Sequence, residues 1–182
     1  MLILASASPR RSEILRVAGF DFVVRPANVP EERRSGEDGI AFARRLAREK
    51  AEAVTAGAGD VVLGADTVVL AGAEVLEKPR DDADARRMLA LLSGREHEVV
   101  TAFCVRSQST ALVDHAVTRV RFAPLSDAEI EAYVASGEPA GKAGAYAVQG
   151  LASKFVTRIE GDYFNVVGLP VARIYAALKK IS

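Results

Sequence analysis

The sequence predicts an α/β fold: a mixed, twisted sheet flanked by helices, arranged as two lobes around a cleft. Three observations predict it. Short apolar, β-branched runs alternate with segments of helical apolar spacing through the first half, two long alternating runs stand side by side in the second half, and glycines stop most of the helical segments. At 182 residues the chain can bury a substantial core, and it reads as one domain over residues 1–182.

The elements follow in order. Leu2 to Ala5 predicts a first strand. Ser8 as N-cap and Pro9 at the first helical position open a helix to Ala18, which Gly19 ends. Phe20 to Val24 predicts a second strand. A loop with Asn28, Pro30, Glu31 and Glu32 leads to a long helix from about Gly39 to Ala56, whose row Ile40, Ala43, Ala47 and Val54 also contains Lys50. Val61 to Leu70 predicts a buried strand that turns at Ala71-Gly72 into a partner near Val75. Asp81-Asp82 cap a helix striped by Ala85, Met88, Leu89 and Leu92 and stopped at Ser93-Gly94. Glu98 to Arg106 and Leu112 to Phe122 predict a long hairpin. A short helix, Ser126 to Ser136, precedes a glycine-dense loop, Gly137 to Gly150, that holds Lys142, Tyr146 and Gln149. Strand-like pieces are expected on both sides of Gly161, and Pro170 opens a last helix striped by Val171, Ile174, Tyr175 and Leu178.

Composition narrows the function. The 24 basic and 24 acidic residues cancel, so no global field draws the chain to nucleic acid or to an anionic membrane, and any anion site must be local. The single cysteine, Cys104, lies in an apolar run and cannot form an internal disulfide, which fits a structural thiol in a reducing cytoplasm. The apolar start Met-Leu-Ile-Leu is short and precedes its arginines, so it reads as a mature strand; Val61 to Leu76 is broken by Asp66, Gly72 and Glu74, so no membrane span is expected. A P-loop, a dinucleotide fingerprint and a nucleophile elbow are all missing.

Three anomalies carry the chemistry. Arg10 and Arg11 stand in the first turn of a helix, where the dipole and the free N–H groups favour anions. A phosphate chain held by the helix start, by Ser6 and Ser8, and by two guanidinium forks would offset that cost. An exposed arginine pair beside an ordinary cap is the alternative. Asp66 interrupts a strand that should be buried, and a buried acid must be neutral, paired or metal-bound. Gly64, two residues earlier on the same face, would let a ligand approach. A strand-end Asp66, solvated or paired with an arginine, is the other reading. Lys50 lies in an apolar helical row, either snorkelling at a core edge or aimed at a site. Lys78 before Pro79, and Lys142 among glycines, are further cations that fit either phosphate or plain surface. Glu31 and Glu32 offer the oxygen donors that magnesium prefers, though most acidic loop pairs are simply solvated. His97 and His115 match no ligand spacing and are assigned no role.

Together the motifs Leu4-Ala-Ser6-Ala-Ser8-Pro9-Arg10-Arg11, Glu49-Lys50-Ala51, Gly64-Ala-Asp66-Thr67, Glu77-Lys78-Pro79, Leu92-Ser-Gly94, Lys142-Ala-Gly-Ala-Tyr146-Ala-Val-Gln149-Gly150 and Asn165-Val-Val-Gly-Leu-Pro170 resemble the Maf family from end to end. The resemblance implies a fold similar to the inosine triphosphate pyrophosphatases. It also implies a nucleoside triphosphate pyrophosphatase that cuts between the α and β phosphates with a divalent metal, magnesium or manganese. The late loop is similar to that of the branch acting on dTTP and UTP. By position, Asp66 corresponds to the proton acceptor, and Arg10, Thr67 and Gln149 to residues tied to substrate choice. Ser6, Arg11, Glu31, Lys50 and Lys78 match other site positions, with Glu31 and Asp66 as metal ligands. Family likeness also implies a homodimer. The alternative is a nucleotide-binding regulator of septum formation or cell division in which catalysis is not essential.

Overall fold

The structure is a computed structural model and describes residues 1–181. Seven strands form one mixed sheet: β1 (Leu2–Leu4), β2 (Phe22–Val24), β3 (Val61–Ala71), β4 (Glu74–Leu76), β5 (Glu96–Arg106), β6 (Ala111–Phe122) and β7 (Val156–Glu160). The order is β2-β1-β3-β5-β6-β7, with β4 paired to β3 off that path. β1 runs parallel to both β2 and β3, with Leu4 opposite Val24 and Leu63, whereas β4 on β3 and β7 on β6 are antiparallel. Among the described residues, six α-helices flank the sheet: α1 (Pro9–Val17), α2 (Gly39–Glu52), α3 (Asp82–Leu92), α4 (Asp127–Ala135), α5 (Tyr163–Val167) and α6 (Val171–Ile181). No helix among the described residues is long and apolar enough to cross a membrane.

The chain forms two compact units, each assembled from separate stretches. The first comprises Met1–Asp66, Thr101–Ala116 and the residues from Gly168 onward; the second comprises Thr67–Val100 and Val117–Val167. Ile3, Leu4, Leu15, Phe42, Leu46, Leu63 and Phe103 fill the first core. Leu76, Leu89, Leu92, Val100, Val120 and Phe122 fill the second. Burial of these apolar side chains is the main force holding each unit together.

Local chemistry sets the helix boundaries. The Asp38 side chain accepts from the Ala41 amide at 2.8 Å and caps α2, and Asp81 does the same for α3 through Asp84. Ser126 and Glu129 form a reciprocal capping box on α4. Two expectations fail. After Gly161 the chain forms α5 and not a strand, because Asp162 accepts from the Phe164 amide at 2.8 Å and opens a helical turn. Asn165 then locks that turn, donating to the Val99 carbonyl and to Thr118 Oγ1, both at 2.9 Å. In α6 the buried stripe is Ile174 and Ala177, while Tyr175 is 52% exposed and packs edge-on against Phe20.

Candidate active site

The first unit gathers Ser6, Arg10, Arg11, Glu31, Lys50 and Asp66 although they span sixty positions of chain. Asp66 ends that unit's share of β3 and is buried, with only 6% of its surface exposed. Its partner is the Lys50 ammonium, with Nζ 2.6 Å from Asp66 Oδ1. The same ammonium lies 2.6 Å from Glu31 Oε1. Lys50 is therefore no edge-of-core snorkel, and Asp66 is not solvated. One buried cation is shared by two carboxylates, which leaves that cluster with a net negative charge for the nearby arginines to balance.

Packing of α2 on β3 makes this reach feasible. A Cβ at Gly64 would fall 2.2 Å from the Ala47 carbonyl oxygen and 2.7 Å from the Ala51 amide. Gly64 thus admits the backbone of α2 and not a ligand, which corrects the sequence reading; the close approach sets Lys50, between Ala47 and Ala51, over Asp66.

The two arginines differ. Arg11 is buried and donates from Nε to the Gly168 carbonyl at 2.8 Å, and from Nη1 to the Ala65 carbonyl at 2.9 Å and to Ser6 Oγ at 3.2 Å. It is a strut that ties the start of α1 to the residue before Asp66, so the reading of an exposed pair fails for it. Burial pushes the Arg11 guanidinium down from its ordinary value, while the charges of Asp66 and Glu31 pull it back up and Arg10 adds to the lowering. Arg10 is half-buried beside it. Ser6 is buried and accepts from the Ser8 amide at 3.2 Å, which fixes the turn before α1; Ser8 itself caps α1 without a side-chain bond.

The donor set fits a hard divalent cation. Two carboxylates converge on one cationic point, and magnesium or manganese commonly takes one or two such groups and completes its shell with phosphate oxygens and water. No cluster of three or more His, Cys, Asp or Glu side chains suited to a metal occurs among the described residues. Glu32 contributes its carbonyl to Arg45 while its side chain is exposed.

Thr67, Lys78 and Gln149 belong to the second unit. Thr67 follows Asp66 directly in β3 and is half-buried; Lys78 and Gln149 are exposed. The loop bearing Gln149 is tightly held. Gly144, at φ +67°, donates to the Glu77 carbonyl at 3.1 Å and leaves only 2.8 Å for a Cβ against Val69, and Ala145 follows at φ +61°. Tyr133 receives the Ala147 amide at 3.2 Å and donates to Glu138, whose carboxylate also accepts the Leu151 amide at 3.0 Å. Lys142 donates to the Glu138 carbonyl, so this cation braces the loop. Below it, Tyr146 meets His97 Nε2 at 2.8 Å, and burial lowers the His97 value to about 4.

Sequence reasoning missed Arg45, whose guanidinium grips the loop that carries Glu31. Its signal was partial. The Arg45–Glu49 spacing of four on a helix is visible, but the route of the loop that places Glu37 alongside is not.

Comparison with known proteins agrees with the motifs. A family model described as Maf-like protein matches residues 1–181. A curated relative from Koribacter versatilis, named dTTP/UTP pyrophosphatase, is 56% identical over 98% of this chain and 93% of its own length. Another of the same name from Aquifex aeolicus is 47% identical over 100% of this chain and 95% of its own. Among solved structures, a Ham1 protein from Coxiella burnetii aligns over 98% of each chain at 16% identity and a TM-score of 0.49.

Proposed function

This chain belongs to the Maf-like family, and from that premise we propose that it is a nucleoside triphosphate pyrophosphatase acting on dTTP and UTP. It releases the nucleoside monophosphate and pyrophosphate. The observation that carries the chemistry is the buried Asp66 carboxylate held 2.6 Å from the Lys50 ammonium.

Water attacks the α phosphorus in line with the bridging oxygen. Asp66 takes the water's proton, the bridging bond breaks, and its electron pair leaves with pyrophosphate. Arg10 and Lys50 neutralise the phosphate chain and the charge that gathers on the leaving group, while Arg11 fixes the floor on which Ser6 and Ala65 sit. Glu31 and Asp66 would hold magnesium or manganese, which supplies Lewis-acid polarisation of phosphoryl oxygens. Family resemblance ties Thr67 and Gln149 to substrate choice and gives Lys78 as another site position; an unpaired polar partner at a base penalises the wrong nucleotide.

A cell-division regulator that merely binds nucleotide is not favoured, because the relatives are named for hydrolysis and a binder needs no acid buried on a lysine. A cytoplasmic setting is supported by the buried Cys104, whose thiol burial pushes up to about 11 and so keeps unreactive. Balanced charge supports a small anionic substrate over nucleic acid or membrane. A homodimer rests on family likeness, and analytical ultracentrifugation tests it.

The direct test is pyrophosphate release from dTTP, UTP, CTP and GTP with magnesium or manganese. Turnover concentrated on dTTP and UTP is expected. Orthophosphate as the product, or no turnover of any triphosphate, overturns the proposal.

A further inference from the structure

We propose that Arg45 is a positioning residue that holds the Glu31 carboxylate against Lys50 and Asp66. The proposal rests on the functional reading only for the value of that carboxylate to hydrolysis; the geometry stands by itself. Glu31 lies in the connection between β2 and α2, residues 25–38, where no regular element fixes the backbone. Fourteen loose residues would not deliver a carboxylate to one point without an anchor.

Arg45 provides it from α2. Its Nη2 donates to the Glu32 carbonyl at 2.9 Å and to Glu37 Oε2 at 2.8 Å, its Nε to Glu37 Oε1 at 2.7 Å, and its Nη1 to Glu49 Oε2 at 3.0 Å. The guanidinium carbon also sits 5.4 Å from the centre of the Phe42 ring. One planar fork thereby grips the peptide next to Glu31 and the end of the same loop at once. Lysine, a point charge, cannot span both. The side chains of Arg45 and Glu37 are only 15% and 12% exposed, so solvent screens this pair less than an ordinary surface bridge. Arg34 reinforces the arrangement, with its amide on Glu37 Oε2 at 3.1 Å and its guanidinium on Glu49 Oε1 at 3.2 Å.

An arginine that only stabilised α2 would cost melting temperature and nothing specific to Glu31. Acting through Glu31 makes a different forecast, which a double-mutant cycle reads. R45K, R45M and E31Q are compared with both double variants in kcat/KM for dTTP, alongside amide exchange over residues 29–37. R45K retains the charge and stem should R45M fail to fold. Each Arg45 variant is expected to lose about 10- to 100-fold in kcat/KM, the scale of a misplaced catalytic group. In the E31Q background the same changes should cost almost nothing further, and exchange over 29–37 should rise while the α2 amides stay protected. Full additivity with E31Q, or unaltered exchange over 29–37, overturns the proposal. A wild-type protein that releases no pyrophosphate would count against the functional reading, and the exchange experiment would still decide the role of Arg45.

Discussion

Lys50 joins two acids of the first unit, since its ammonium serves Asp66 and Glu31 together. Lys50→Met removes the ammonium paired with the buried Asp66 carboxylate, and breaking a buried pair from one side typically costs about 3 kcal/mol or more. Denaturant unfolding at pH 7 should show that loss; a variant as stable as the parent contradicts the pairing. Asp66→Asn keeps shape and hydrogen bonding but removes the base, so kcat should fall about 10²- to 10⁴-fold while dTTP affinity changes little. Steady-state kinetics beside equilibrium dialysis separates the two, and full turnover rejects Asp66 as base. His97 gives a pH signature in the second unit. Burial lowers it from 6.5 to about 4, so between those values the unfolded chain binds a proton that the folded one refuses. Stability should therefore fall as pH drops from 6.5 to 4, and His97→Gln, which keeps a polar group towards Tyr146, should flatten that slope. An identical slope in the variant removes His97 as its source.

The helix α2 and the strand β3 form the element pair on which the site depends. Gly64→Ala forces the Ala47 carbonyl away from 2.2 Å, so β3 and α2 must part, at a cost of about 3 kcal/mol and with Lys50 drawn off Asp66. Calorimetry and kinetics should fall together; a variant that loses neither shows that the contact can relax. Most elements were legible because their signals are local. The alternation of β5 and β6 and the stripe and Asp81 cap of α3 need no knowledge of the rest of the chain. Helix α5 was not, because Tyr163, Phe164, Val166 and Val167 are strand-favouring residues and the helix depends on Asn165 reaching Val99 and Thr118, 66 and 47 positions away. Gly64 was noticed for the right reason, a missing side chain, and given the wrong neighbour, since sequence does not say which backbone fills the space.

At the scale of the whole molecule, the long strands β3, β5 and β6 each pass from one unit into the other, so the chain builds both units from interleaved stretches. Arg10, Arg11, Lys50 and Asp66 of the candidate site were legible in the sequence as charges placed where helix dipoles or apolar burial disfavour them. The strut role of Arg11 and the grip of Arg45 were not, because both act on backbone carbonyls that only the fold brings near. The account stands on attack by water at the α phosphorus under the control of Asp66. Hydrolysis of dTTP in water enriched in heavy oxygen tests this most directly, with both products analysed by mass spectrometry. One labelled oxygen should appear in the nucleoside monophosphate and none in pyrophosphate, and Asp66→Asn should incorporate almost no label. Label in pyrophosphate, or labelled monophosphate formed at the parent rate by Asp66→Asn, would contradict it.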